Sequence, residues 1–370
     1  MSENLLCMAG EEALDRIREG GLAPEDVSTV AGAAGGPKCL VLAHLDRMLF
    51  SRWFGPRTES LFLVGSSIGA WRFAAAAQND SEEAIERFHH AYLSQAYSDR
   101  PGPAEVTREA RRGLDSFVDE AGVREVLSHP FMRLSILSVR SRRLTAVRQA
   151  SPLTLGFIAA ILANAVGRRF LGLFFERGLF YDPRDVPPFR HMNEFPIQAC
   201  TLTPNNLKPA LMATGAIPMI MEAVRDIPGA APGFYRDGGV LDYHLNLPFG
   251  DNSGKLVLFP HYTDRIIPGW LDKGLTWRRP RADYMKNVLV VAPSREFVKK
   301  LPYGKIPDRN DFRTFQGRDA ERKAYWRRVM EAGRRLADDF FEWTASGRIR
   351  ERVAPLTDDP VPSKTARMSG

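Results

Sequence analysis

The chain is poor in cysteine, poor in histidine and without a hydrophobic run long enough to span a membrane. Its three cysteines, Cys7, Cys39 and Cys200, are odd in number and far apart, which excludes a disulfide framework and a structural zinc site. Pro152 to Gly167 carries no charge, but its 16 residues fall short of the roughly 20 that a spanning helix needs. An interfacial helix or hydrophobic lid fits that stretch, and a buried core helix with basic caps fits it equally. Met1 to Gly20 lacks the basic and apolar regions of a secretory signal, so a cytoplasmic setting is expected. Of the seven histidines, the pair His89-His90 falls in a predicted helix and reads as a surface pair rather than a metal site. No internal repeat is visible.

What is present is ordinary in bulk: 44% hydrophobic and 26% charged residues in 370, enough for one large α/β domain or two smaller ones. The net charge of +7 is local. Between Phe131 and Phe180, eight arginines (Arg133, Arg140, Arg142, Arg143, Arg148, Arg168, Arg169 and Arg177) face one acid, Glu176, an excess equal to that of the whole chain. So local a basic segment, interleaved with Phe157, Ile158, Phe170 and Phe174, suggests an anionic, oily surface as partner rather than nucleic acid.

Leu61 to Val64 reads as a short buried strand, and Ala70 to Ala77 as the helix after it. Between them Gly65-Ser66-Ser67-Ile68-Gly69 matches G-x-S-x-G, which in a strand–turn–helix setting is a nucleophile elbow. Gly65 and Gly69 would permit the close backbone approach of that turn. The helix N-terminus favours the negative charge that develops when Ser67 attacks a carbonyl. A bland reading competes: a Gly-Ser βα turn that merely packs.

Upstream, Val27 to Ala31 reads as the first strand, running into the loop Gly32-Ala-Ala-Gly-Gly-Pro-Lys38 and a helix from about Cys39 to Trp53. The loop is not a P-loop, since Pro37 stands where the second glycine belongs and Cys39 where the magnesium-binding hydroxyl belongs. Its glycines let backbone N–H groups converge on an oxyanion instead. Further strands are expected at Phe195 to Leu202, Lys255 to Phe259 and Val288 to Val291. Helices are expected over 81–128, Leu207 to Thr214, and Asp319 to Trp343.

Two bases are open to Ser67. His244 and His261 follow Asp237 and give the Ser…Asp…His order of ordinary α/β-hydrolases. Asp237 itself, in Arg236-Asp-Gly-Gly239, sits on a tight turn that can present its carboxylate to the serine, where burial makes it a stronger base. Only one strand precedes the expected elbow strand, whereas α/β-hydrolases have several, and that favours the aspartate. Asp242 lacks the paired glycines.

The order glycine-rich loop, G-x-S-x-G, Ala213-Thr-Gly-Ala-Ile-Pro218 and Asp237-Gly238-Gly239 resembles the patatin-like phospholipase family over about residues 27 to 260. The resemblance implies Ser67 as nucleophile and Asp237 as its base in a dyad without histidine, and Gly32 to Lys38 as oxyanion loop. Lys38 stands near the family's usual basic residue. Ala33 and Ala34 interrupt the family's glycine run, leaving Gly35 and Gly36 as the expected donors, with Gly32, Lys38, Gly65, Gly69, Gly238 and Gly239 supporting.

The expected fold is an α/β three-layer sandwich with a mainly parallel central sheet over residues 1–352. A basic apolar helical insertion is expected at about 100–190, and a mobile tail at 353–370. The expected function is hydrolysis of lipid acyl esters, with no cofactor or metal, at an anionic membrane surface. A Ser-His-Asp esterase or thioesterase, and a non-catalytic lipid-surface binding protein, are the alternatives.

Overall fold

The computed structural model describes residues 4–55, 57–249 and 254–357. Their strands are β1 (Leu5–Ala9), β2 (Val27–Gly32), β3 (Leu61–Ser66), β4 (Met132–Ser141), β5 (Phe175–Tyr181), β6 (Ile197–Thr201), β7 (Val224–Arg225), β8 (Phe234–Asp237), β9 (Leu256–Pro260), β10 (Val288–Pro293) and β11 (Val353–Pro355). They form one mixed sheet in the order β11-β1-β10-β9-β2-β3-β4-β5-β6, with β8 also on β4 and β7 on β8. Six of the ten pairings are parallel, and helices flank the sheet in a three-layer α/β arrangement.

The central strands are near-continuous apolar runs, as strands covered on both faces must be: β9 reads LVLFP and β10 VLVVAP, every residue buried. Parallel neighbours need crossovers. The β2–β3 crossover begins with the 3-10 turn Gly36–Leu42 and continues through the helix Ala43–Met48. The β3–β4 crossover begins with the helix Ile68–Ala76, buried throughout and rich in alanine.

Several expectations change. The elbow strand is third in the chain, because Leu5–Ala9 is a strand; without β-branched residues it had no strand signature in the sequence. The segment 100–190 does not stand apart from the domain. It supplies β4, which pairs with the elbow strand, and β5, which pairs with β4, while the rest of it, including the helix Ala150–Val166, lies outside the sheet. The expected helix 319–343 is two, Asp319–Ala332 and Arg334–Ala345, meeting at Gly333, where a Cβ would come within 2.3 Å of the Val41 carbonyl oxygen. Of the expected tail, Val353–Pro355 pairs in parallel with β1, and 358–370 lies outside the described residues. No helix among the described residues is long and apolar enough to cross a membrane.

Candidate active site

Ser67 follows β3 directly, at φ 54° and ψ −126°, a conformation that side-chain-bearing residues rarely adopt. Packing enforces it. A Cβ on Gly65 would lie 2.3 Å from the Ala70 nitrogen, and one on Gly69 would lie 1.9 Å from the Gly32 carbonyl oxygen. The strand, the helix and the β2 loop therefore close on each other only if both positions are glycine.

The register of β4 brings the second group in. β3 pairs with β4 as far as Ser66 opposite Leu137. On the next rung Ser138 faces Asp237, the last residue of antiparallel β8. Since β5 occupies the other edge of β4, β3 and β8 meet end to end along one edge. Ser67 Oγ donates to Asp237 Oδ2 at 2.9 Å, and both residues are buried. Gly239 N–H donates to Asp237 Oδ1 at 2.8 Å, which turns the carboxylate toward the serine. Thr214 clamps the junction from the helix Leu207–Gly215: its hydroxyl accepts from Ser67 N–H at 2.7 Å and donates to the Leu137 carbonyl. Asp237 N–H donates to the Ala216 carbonyl at 2.9 Å. The stretch Ala213 to Pro218 thus holds both members of the pair.

Burial raises the Asp237 carboxyl above its ordinary 3.8, opposed by Arg309, the Gly239 N–H, Ser67 and Lys273. Arg309 Nη2 lies 3.7 Å from Asp237 Oδ2. A carboxylate with a raised pKa, hydrogen-bonded to a hydroxyl on an elbow, is chemically equipped to take that hydroxyl's proton.

The glycine loop faces the pair. Gly35 (φ 153°) lines the cavity that holds Asp237, and Gly36 (φ 58°) lines the one that holds Ser67. Ala34 cannot serve as an oxyanion donor, because its N–H is bonded to the Tyr243 carbonyl at 2.9 Å. Its own carbonyl accepts from the Tyr262 hydroxyl. Pro37 occupies the first turn of a 3-10 helix, where a missing N–H costs nothing. Gly32 lies under the elbow, where a Cβ would strike the Phe73 ring at 2.7 Å. Gly238 is pressed against β4, its Cβ position 2.1 Å from the Leu137 carbonyl oxygen.

The two histidines lie behind this loop. His244 Nδ1 accepts from Ile267 N–H at 3.0 Å, leaving Nε2 to donate to the Tyr262 hydroxyl at 2.8 Å. His261 Nδ1 lies 2.8 Å from the Thr263 carbonyl oxygen and 3.1 Å from the Thr263 nitrogen. Among the described residues neither bonds to Ser67 or Asp237. Asp242, for its part, holds the buried Arg177 through two bonds of 2.7 Å.

Burial keeps these imidazoles neutral: it lowers His244 far below 6.5, and His89 and His261 to about 3. With folded pKa values depressed, the unfolded chain takes up protons first. Stability is therefore full above pH 6.5 and lost as pH falls toward about 3. Each such group contributes a slope of about 1.4 kcal/mol per pH unit inside that window. Denaturant midpoints from about pH 7 down to about pH 5 should fall steeply; a flat midpoint would contradict buried neutral imidazoles.

Two cavities adjoin the pair. One, of about 360 Å³, runs from Ser67 past Trp71, Tyr92, Val106, Ala110 and Phe312 and is mainly apolar. The other, of about 460 Å³, holds Asp237 with Lys38, Tyr243, Trp270, Lys273 and Arg309. Ile217, Ile220, Arg309 and Asn310 border both. Sequence reasoning missed Thr214's clamp, Lys273 and Arg309; the last two come from irregular segments with no motif around them.

No family model matches this chain, and no curated protein matches it. Among solved structures, VipD from Legionella pneumophila is similar at 12% identity and a TM-score of 0.31, over 64% of this chain and 50% of that one. The match thus spans half the length of VipD, and a likeness this slight carries no argument about what the chain does.

Proposed function

We propose that the protein is a serine acyl hydrolase that cleaves lipid esters through a Ser67–Asp237 dyad, as in the patatin-like pattern its motifs resemble. The observation that carries this reading is the 2.9 Å bond from Ser67 Oγ to Asp237 Oδ2 at a positive-φ elbow. In the first step Asp237 takes the hydroxyl proton while Ser67 Oγ adds to the ester carbonyl carbon. The Gly35 and Gly36 amides hold the resulting oxyanion. Collapse expels the alcohol, which receives the proton from Asp237. Water, deprotonated by the same carboxylate, then releases the acid and restores Ser67. The apolar cavity takes the acyl chain. Soluble esters of increasing acyl length test this: kcat/KM should rise with each methylene until the cavity is filled. A flat dependence would contradict an acyl site there.

The lipid comes from a surface that meets the helix Ala150–Val166. Leu155, Ile158, Ile161, Leu162 and Val166 on that helix are 48% to 81% exposed, a contiguous apolar face. It continues to the cavity rim: Thr154 Oγ1, whose proton goes to the Ala150 carbonyl, lies 3.7 Å from Met219 Sδ, and Met219 and Ile220 line the Asp237 cavity.

The basic segment contributes less than its composition suggests. Arg133, Arg140 and Arg142 pair with Asp185 or Glu176, Arg168 with Glu194 and Asp272, and Arg177 with Asp242. The exposed Arg143, Arg148 and Arg169 have no carboxylate at ion-pair distance among the described residues. Each adds on the order of 1 kcal/mol at an anionic surface, screened by salt. Replacing Leu155, Ile158 and Leu162 together by Glu should abolish vesicle flotation while leaving hydrolysis of a soluble short-chain ester in place. Unchanged flotation would sink this docking face.

A further inference from the structure

The Asp237 cavity is cationic. Lys38, Lys273 and Arg309 line it against two carboxylates, Asp237 and Asp308. Asp308 is engaged by Lys305 at 3.2 Å, and Asp237 Oδ2 accepts from Ser67. Among the described residues no carboxylate lies within ion-pair distance of Lys38 or Lys273. Each instead lies over a tyrosine face, Lys38 5.0 Å from the Tyr262 ring centre and Lys273 3.8 Å from that of Tyr243. Among those same residues Arg309 has only the 3.7 Å approach to Asp237.

This surplus charge is costly to assemble. Burial lowers the Lys273 ammonium below its ordinary 10.5, and repulsion from Lys38 and Arg309 adds to that. Burial would raise the Tyr243 phenol, yet Lys38 and Lys273 bring it below its ordinary 10.0. A cavity holding such a field concentrates anions.

The two cavities flank the dyad on opposite chemical terms. An ester bound with its acyl chain in the apolar cavity must place its alcohol part with Asp237, which returns the proton to that oxygen. We propose that the leaving alcohol carries an uncapped anionic group, a phosphate monoester or a carboxylate, held by Lys38, Lys273 and Arg309, and that heads ending in a quaternary ammonium are disfavoured. The assignment of sides rests on the acyl-hydrolase reading; the anion site itself does not. A choline cap would have to lie among three cations or be driven into solvent. A bare phosphate gains charge-assisted bonds, each worth on the order of tenfold in affinity.

The test separates the two readings by measuring binding without turnover. Equilibrium binding to Ser67→Ala protein is measured for hexanoyl glycerol phosphate, hexanoyl glycerol and hexanoyl glycerophosphocholine, three ligands with one acyl chain. The phosphate ester should bind on the order of tenfold or more tighter than either of the others, and less so as salt rises. Lys273→Met should erase most of that ratio, and Lys273→Arg should keep it. Inorganic phosphate should compete with the phosphate ester in the Lys273 protein and lose potency in Lys273→Met. Phosphate that competes while all three esters bind alike would assign the cavity to a free anion and overturn the leaving-group proposal. Equal binding of all three with no competition, or a ratio unmoved by Lys273→Met, would overturn the anion site as well. A strong ratio in a protein whose wild type hydrolyses no ester would uphold the anion site and count against the hydrolase reading alone.

Discussion

Ser67→Ala should abolish ester hydrolysis while leaving the fold intact. The loss is expected to be roughly 10⁴- to 10⁶-fold in kcat, the scale seen when a covalent nucleophile is removed. The hydroxyl makes one described side-chain bond, to Asp237, so packing barely changes. The backbone strain at φ 54° remains, because alanine is no freer there than serine. Ser67→Gly provides the contrast: it should be equally inactive yet more stable, by about 1 kcal/mol or more, since glycine adopts that conformation without penalty. Activity within tenfold of wild type in either variant, measured on a short-chain ester, would remove Ser67 from the chemistry.

Asp237→Asn should be nearly as damaging to turnover and should stabilise the protein at neutral pH. An amide cannot accept the serine proton, so the loss in kcat should reach roughly 10³-fold or more. The stability effect follows from the sign of the shift. Asp237 is held above 3.8 in the folded protein, so the unfolded chain releases its proton first as pH rises. Its contribution is fully favourable below that value and lost as pH rises through the folded pKa, which leaves a penalty at neutrality. Asparagine does not titrate and escapes it. The side-chain oxygen of asparagine can still accept from Gly239 N–H, and Arg309 is exposed enough that losing its distant partner costs little. Thermal melts of the two proteins should differ most near neutrality and converge below about pH 4. An Asn variant less stable at neutral pH would contradict a buried, strained carboxylate. The activity of the wild type should show a single acid limb lying above the ordinary carboxylate range, as Asp237 must be ionised to act.

The parts of the site that could be read in the sequence are those governed by sterics. Gly65 and Gly69 are forced by contacts of 2.3 Å and 1.9 Å that any side chain would violate, and such positions leave fixed letters at fixed spacing. Asp237 was legible for the same reason: Gly238 lies 2.1 Å, at its Cβ position, from the Leu137 carbonyl. Thr214 stands within the motif Ala213 to Pro218, but its clamp between Ser67 N–H and Leu137 depends on β4, a strand that has no clear signature in the sequence.

β4 was hidden because it mixes Arg133, Ser135, Ser138 and Arg140 with its apolar residues. Those polar groups are accommodated by partners from remote segments, Asp185 for Arg133 and Glu176 for Arg140. A local pattern cannot display such partners, so the same arginines read as a free basic surface. The helix Ala150–Val166 is apolar in sequence, but whether it is covered depends on what packs against it: Leu153, Phe157 and Ala160 are buried and the opposite face is not. Lys273 and Arg309 were invisible for a further reason. Each reaches the cavity from an irregular stretch, and only tertiary structure gathers both beside Lys38 around Asp237.

In the proposed dyad Ser67 is a nucleophile activated without histidine. Incubation of the protein with a fluorophosphonate, followed by mass spectrometry of its peptides, tests this most directly. One adduct is expected, on Ser67, lost in Asp237→Asn and retained in His244→Gln and His261→Gln. An adduct on any other serine, none at all, or one that survives Asp237→Asn but disappears with either histidine would contradict it.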